Sequence, residues 1–308
     1  MDPSRGRSFA IVLGAYVVAL LAAIATAWLL GNDAPILTAF SADLVATLVI
    51  FGFSMAFANS SLYDAYWSVA PPVIALYWAS SPDSIVAVPG RQALVLLLVF
   101  AWAIRLTWNW ARGWPGLHHE DWRYTELREN GVAPYWLVSL TGIHYFPTLQ
   151  VFLGCLPLYA ALALGSRPLG ALDALAALVT VGAIALETVA DEQLRAFNRT
   201  KQPGDICDRG LWAWLRHPNY LGEVLFWWGL WLFAVAAAPG WSWSVIGPLA
   251  ITAMFIFASV PMLDRRSLAR RPGYDAWMKR VPALVPRRPG YDAWMKRVPA
   301  LVPRRPAR

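Results

Sequence analysis

Phe9–Leu30 contains no Asp, Glu, Lys or Arg, and runs of this kind recur along the chain. A helix needs about 20 mainly apolar residues to cross a hydrocarbon core. Eight stretches fit or approach that length: 9–30, 37–58, 66–79, 91–110, 145–165, 170–189, 222–238 and 241–262. The third is short and carries Pro71-Pro72. Such a break is tolerated where protein, not lipid, surrounds the freed backbone groups. In a bilayer every backbone polar group must be satisfied within the protein, so apolar runs of this length can only be helices. The expected fold is therefore an all-α polytopic transmembrane bundle of about eight spans.

Composition agrees: 58% of the 308 residues are hydrophobic and 15% charged, against roughly 25% charged in soluble domains. The net charge of +7 does not call for nucleic acid, because basic residues mark the cytoplasmic loops of membrane proteins. Placing both termini in the cytoplasm puts 23 of the 26 Lys and Arg on that side. Arg91 and Arg167 fall outside the count, and Arg105 lies within a span. The basic Met1–Ser8 segment precedes a first span too long for a signal-peptide core, so that span is expected to be retained. Two cysteines, Cys155 and Cys207, give no disulfide framework. The tail repeats itself letter for letter: Arg270–Pro286 recurs as Arg287–Pro303. Three segments follow: 1–80, N-terminal spans on the substrate side; 81–286, a cofactor-binding membrane domain; and 287–308, a duplicated, dispensable basic tail.

Polar residues collect at the expected cytoplasmic ends. The densest string is Arg216-His217-Pro218-Asn219-Tyr220-Leu221-Gly222-Glu223, opening into an apolar helix. Free N–H groups at a helix start and the fork of Arg216 suit an anionic ligand. Glu187, Asp191 and Arg195 share a helical face at i, i+4, i+8, and an Asp191–Arg195 ion pair is the plain alternative. Arg105, Asn109 and Arg112 form a second row, and a guanidinium inside a span calls for a carboxylate or phosphate. Asp64 lies between Tyr63 and Tyr66, and a carboxyl beside a phenol can supply a proton to a carbonyl; the alternative is a helix cap in an aromatic belt. His118-His119-Glu120-Asp121 lacks ligand spacing, so no metal is expected.

At these residues the sequence resembles the steroid 5α-reductase superfamily, in particular its bacterial members. Arg216 to Glu223 resembles the cofactor motif shared with sterol Δ14-reductases; Asp191-x-x-Leu194-Arg195 and Gly210-Leu211-Trp212 match as well. The likeness covers about 90–286. It implies an integral-membrane enzyme, in a bacterial inner membrane, that uses NADPH to reduce an enone-type carbon–carbon double bond in a lipid-like or steroid-like substrate taken from the bilayer. It implies cofactor contacts at Arg105, Asn109, Arg112, Glu187, Asp191, Arg195, Trp212, Arg216, His217, Asn219, Tyr220, Glu223, Arg265 and Arg266. Asp64, Tyr63 and Tyr66 are the expected catalytic group, and a monomer is expected. The sequence departs from the steroid reductases at Trp102, where they have Tyr, and in lacking their Gln-Glu pair. Isoprenylcysteine and phospholipid methyltransferases also carry Arg-His-Pro-x-Tyr before a membrane helix; they bind S-adenosylmethionine and form the alternative reading.

Overall fold

A computed structural model describes residues 3–130 and 133–284. Among them there is no strand, and seven helices are long and apolar enough to cross a membrane. The chain is an all-α polytopic bundle. The second tail copy, 287–303, lies outside the described residues.

The helices are α1 (Pro3–Leu30), α2 (Pro35–Ala56), α3 (Tyr66–Ala79), α4 (Pro89–Gly113), α5 (Trp122–Asn130), α6 (Tyr135–Val138), α7 (Phe146–Tyr159), α8 (Ala171–Asn198), α9 (Pro218–Ala237), α10 (Ile246–Met254), α11 (Val260–Arg270) and α12 (Tyr274–Arg280). Proline opens α2 and α4, where its missing N–H costs nothing and its fixed φ suits the first turn. The expected third span, α3, does form, but its 14 residues rise only about 21 Å, short of a roughly 30 Å core. Its Pro71 and Pro72 are buried, and Ser68, three residues before them, donates to the Ala65 carbonyl at 2.9 Å and meets the Thr107 hydroxyl at 2.9 Å. The expected span at 145–165 starts earlier, at Tyr135, because a π-helical stretch at Ser139–Tyr145 carries the chain from α6 into α7.

The chain divides into two compact units. The first comprises residues 1–184 and 223–254. Small residues bring its helices together: a side chain at Gly229 would strike Thr180, and one at Gly247 would strike the Leu153 carbonyl. Close backbone approach through small residues is how helices pack where burial of apolar surface gives no drive. Arg91 explains its own place outside the charge count. It is fully buried and grips Asp173 with two bonds, Nε to Oδ1 at 2.7 Å and Nη2 to Oδ2 at 3.0 Å, with the Arg167 carbonyl at 2.9 Å. A buried guanidinium is tolerable only with its donors paired in this way.

The second unit comprises residues 185–222 and 255–308. Tyr274, Trp277 and Val281 form a small core beside Ile206 and Met278. The backbone N–H groups of Arg216 and His217 donate to the Pro282 and Ala283 carbonyls at 2.9 and 3.1 Å. The first tail copy is thereby tied to the Arg-His-Pro motif.

Candidate functional site

In the first unit, helices α1 to α4 line an open-sided apolar cavity of about 550 Å³. Leu13, Leu20, Ala42, Val73 and Ile74 are among its walls, and Asp43 and Tyr66 reach it as well. Asp43 is only 5% exposed, in the middle of α2. The Tyr66 phenol donates to its Oδ1 at 2.9 Å. Its Oδ2 is buried and meets no hydrogen-bond partner among the described residues. An unsatisfied carboxyl oxygen in such surroundings costs free energy that ordinary core residues avoid. An ionisable group at this depth is a functional candidate by default.

This is not the carboxyl–phenol pair expected from the sequence. Asp64 is bonded by Tyr124, whose phenol donates to Oδ1 at 2.6 Å, and it is absent from the cavity wall. Tyr63 is turned elsewhere, its hydroxyl 2.8 Å from that of Thr148. Of the three expected catalytic residues, only Tyr66 faces the cavity. The physical reason is local: Asn59 caps the turn at Ser60–Tyr63, accepting from the Ser61 N–H at 2.9 Å. That turn directs Asp64 to the segment around α5. Burial pushes the Asp64 carboxyl up to about 6, against the opposing pull of Arg123 and the Tyr124 bond.

On α4 the cavity takes Thr107, Trp110 and Ala111. Arg105, Asn109 and Arg112 occupy the opposite side, as 3.6 residues per turn requires. All three are partly buried, and Arg112 lies 5.9 Å over the Trp108 ring. Two guanidiniums and an amide on one helical face suit phosphate oxygens. Glu223 lies in the first unit. It is 3% exposed and accepts indole N–H groups on both oxygens, from Trp102 at 2.9 Å and Trp227 at 2.8 Å. Trp102 stacks on Phe226 at 4.5 Å. The tryptophan that departs from the steroid reductases thus holds the last residue of the motif.

In the second unit, the fork of Arg216 is closed on protein. Its Nη2 and Nε donate to Asp264 at 2.8 and 3.3 Å, and its Nη1 donates to the Val281 carbonyl at 2.6 Å. His217 Nε2 lies 3.1 Å from the same carboxylate, and the Tyr274 phenol donates to it at 2.7 Å. Asp264, which sequence reading passed over beside Arg265 and Arg266, therefore binds the motif to the tail. Four of the five Arg216 N–H donors are thereby engaged within the protein, and His217 meets the same carboxylate.

Asn219 donates to Asp191 Oδ1 at 3.2 Å, and Trp212 donates to the Ala190 carbonyl at 2.9 Å. Arg195 approaches Glu192 at 3.9 Å. The expected face of Glu187, Asp191 and Arg195 is helical throughout, within α8. Tyr220 stacks against His217 at 5.5 Å, Arg266 is partly buried, and Arg265 is exposed.

Sequence comparison places the chain among proteins of undefined activity. A family described as "Protein of unknown function (DUF1295)" matches residues 50–281. A fission yeast (Schizosaccharomyces pombe) protein, "Uncharacterized protein C594.04c", is 26% identical over 280 residues, covering 83% of this chain and 80% of the relative. No solved structure matches.

Proposed function

For a chain that belongs to the DUF1295 family, we propose an integral-membrane, NADPH-dependent reductase of a lipid-like molecule bearing a carbonyl-conjugated double bond. The observation that carries this reading is the Asp43–Tyr66 pair on the wall of an otherwise apolar cavity. Ligand cavities of about 300–1,000 Å³ lined by apolar groups, with a few convergent polar atoms, are the usual form of a small-molecule site. Here the body of the ligand meets Leu, Val and Ala, while its one oxygen meets Asp43 Oδ2. Carrying a proton, that oxygen donates to the carbonyl as negative charge develops there, and Tyr66 supports the carboxylate left behind.

The cofactor, when bound, supplies the hydride. The residues suited to hold its phosphates are Arg105, Asn109 and Arg112 on α4. The extra phosphate of NADPH favours it over NADH at so basic a surface, since each charge-assisted bond contributes about 1.5–3 kcal/mol.

The test is thermal stabilisation of detergent-purified protein. NADPH should raise the unfolding temperature, NADH less so, and S-adenosylmethionine should have no effect. A rise with S-adenosylmethionine alone would overturn the reductase in favour of a methyltransferase.

A further inference from the structure

We propose that the ligand of the Asp43 cavity is a single-chain lipid lying lengthwise in it, with its conjugated carbonyl part-way along the chain and apolar arms on both sides. The proposal rests on the reductase reading and names the class of substrate which that reading leaves open.

Three helices give the cavity its shape. On α1 its wall takes Phe9, Leu13, Tyr16, Leu20, Ile24 and Ala27, one face of the helix at spacings of three and four, turn after turn. From Phe9 to Ala27 that wall is about 27 Å long at 1.5 Å of rise per residue. On α3, Tyr66, Ala70, Val73 and Tyr77 repeat the pattern. Between them α2 supplies Ala39, Ala42, Asp43 and Ala46, all buried. Leu13, Leu20, Ile24 and Val73 are exposed. The space is therefore a trough, with α2 as its floor and α1 and α3 as its sides, open along its length to the hydrocarbon of the bilayer.

Length and the place of the charge select the occupant. A hydrocarbon core is roughly 30 Å thick, so the trough is nearly as long as the core. A rigid fused-ring molecule one leaflet deep, about 15 Å, would leave much of it bare, whereas an extended chain covers it. Among the wall residues only Asp43 is charged. It lies about 12 Å into α2 from Pro35, at the end where the Tyr77 phenol donates to Asn32 Oδ1 at 3.0 Å. Ala39 carries the floor on toward that end, and Ala46 carries it the other way. A lipid with its oxygen at one tip would leave one of these arms empty. An apolar trough alone would accept any bilayer chain. A buried carboxyl oxygen with no partner among the described residues is a cost that an oxygen part-way along the chain relieves. The alanines beside Asp43 leave room for a narrow chain to pass directly over the carboxyl.

The test measures binding to the full-length protein in lipid nanodiscs, with no NADPH present. Single-chain enones of one length, differing only in where the carbonyl stands, compete with a fluorescent hydrophobic ketone, beside a rigid fused-ring enone. The mid-chain isomer should displace the probe at about tenfold lower concentration than the terminal isomer or the fused-ring compound, the size of one hydrogen bond lost at a buried group. Asp43→Leu removes the carboxyl, and the isomers should then bind alike. Ala27→Phe fills one end of the trough; it should weaken the mid-chain isomer by about tenfold and spare the terminal one, whose chain lies toward Phe9. Leu13→Trp fills the other arm from an exposed position and serves if Ala27→Phe does not fold. Equal binding of the terminal isomer or the fused-ring enone overturns the lengthwise chain, as does a mid-chain preference that persists in Asp43→Leu. A mid-chain preference without NADPH-dependent turnover would overturn the reductase and leave the chain standing. Turnover that favours fused-ring enones would do the reverse.

Discussion

Tyr124 donates its phenol to Asp64 at 2.6 Å across 60 positions of sequence, fixing the segment around α5 to the turn between α2 and α3. In the same turn the Asn59 amide donates to the Leu117 and His119 carbonyls, and the Ser61 hydroxyl accepts from the Asp121 N–H. Asp64 is thus part of a clasp.

Its titration has a definite sign. The folded carboxyl titrates near 6, above its ordinary 3.8, so the unfolded chain releases that proton first as pH rises. Stability from this group is present below pH ~4, declines up to pH ~6, and is flat beyond. Asp64→Asn lacks the slope. The melting temperature of the variant minus that of wild type should therefore increase between pH ~4 and ~6 and then level off. A difference independent of pH would show that Asp64 is not buried as described.

Asp264 makes a stability prediction for the second unit. It accepts from Arg216 and Tyr274 and meets His217, and the Arg216 and Asp264 side chains are 10% and 8% exposed. Asp264→Ala leaves a buried guanidinium without its counter-charge, a loss of about 3–5 kcal/mol. Denaturant unfolding followed by tryptophan fluorescence measures it. Replacing both partners, Arg216→Met with Asp264→Leu, should recover much of the loss, because no charge is then stranded.

The bundle was legible because crossing a bilayer demands long apolar runs, and α1, α2 and α4 show them plainly. The start at Tyr135 was not, because Ser139, Thr141 and His144 interrupt the apolar run within the π-helical stretch. The basic row on α4 and the polar face of α8 were readable from helical spacing. Asp43 was not, although a lone acid inside the second apolar run was itself the signal. It has no polar neighbour in sequence, and its phenol lies 23 positions away. Asp64 and Tyr63 adjoin each other in sequence, yet the turn sends them to different partners. Asp264 was missed for the same reason: Arg216 lies 48 positions from it.

The two sides of α4 give a separation test. Val73 lines the cavity, while Arg105 lies on the opposite face of α4 from Thr107 and Ala111. Arg105→Gln should weaken NADPH binding by about tenfold or more, the loss of one charge-assisted bond, and leave uptake of a fluorescent hydrophobic ketone unchanged. Val73→Trp should block the ketone and spare NADPH. Loss of both ligands in either variant would mean that Arg105 and Val73 do not contact different ligands.

The decisive substitution is Asp43→Asn, read against Asp64→Asn. Both exchange a carboxyl for an amide of nearly the same shape, so packing changes little in either. They differ in what the carboxyl faces. Asp43 Oδ2 is buried with no hydrogen-bond partner among the described residues, and Asp43 lines the cavity; Asp64 is engaged by Tyr124 in the clasp. An acid that delivers a proton to a developing oxyanion contributes about 10²–10⁴-fold, and an amide cannot release a proton to the substrate in its place. With NADPH and a panel of lipophilic enones, Asp43→Asn should lower kcat by that factor and leave NADPH stabilisation intact. Tyr66→Phe should lower kcat less, since the carboxyl survives and loses only its supporting bond. Asp64→Asn should retain wild-type turnover. The reverse pattern, with Asp64→Asn inactive and Asp43→Asn active, would return catalysis to the turn before α3 and leave the cavity as a lipid-filled space between helices.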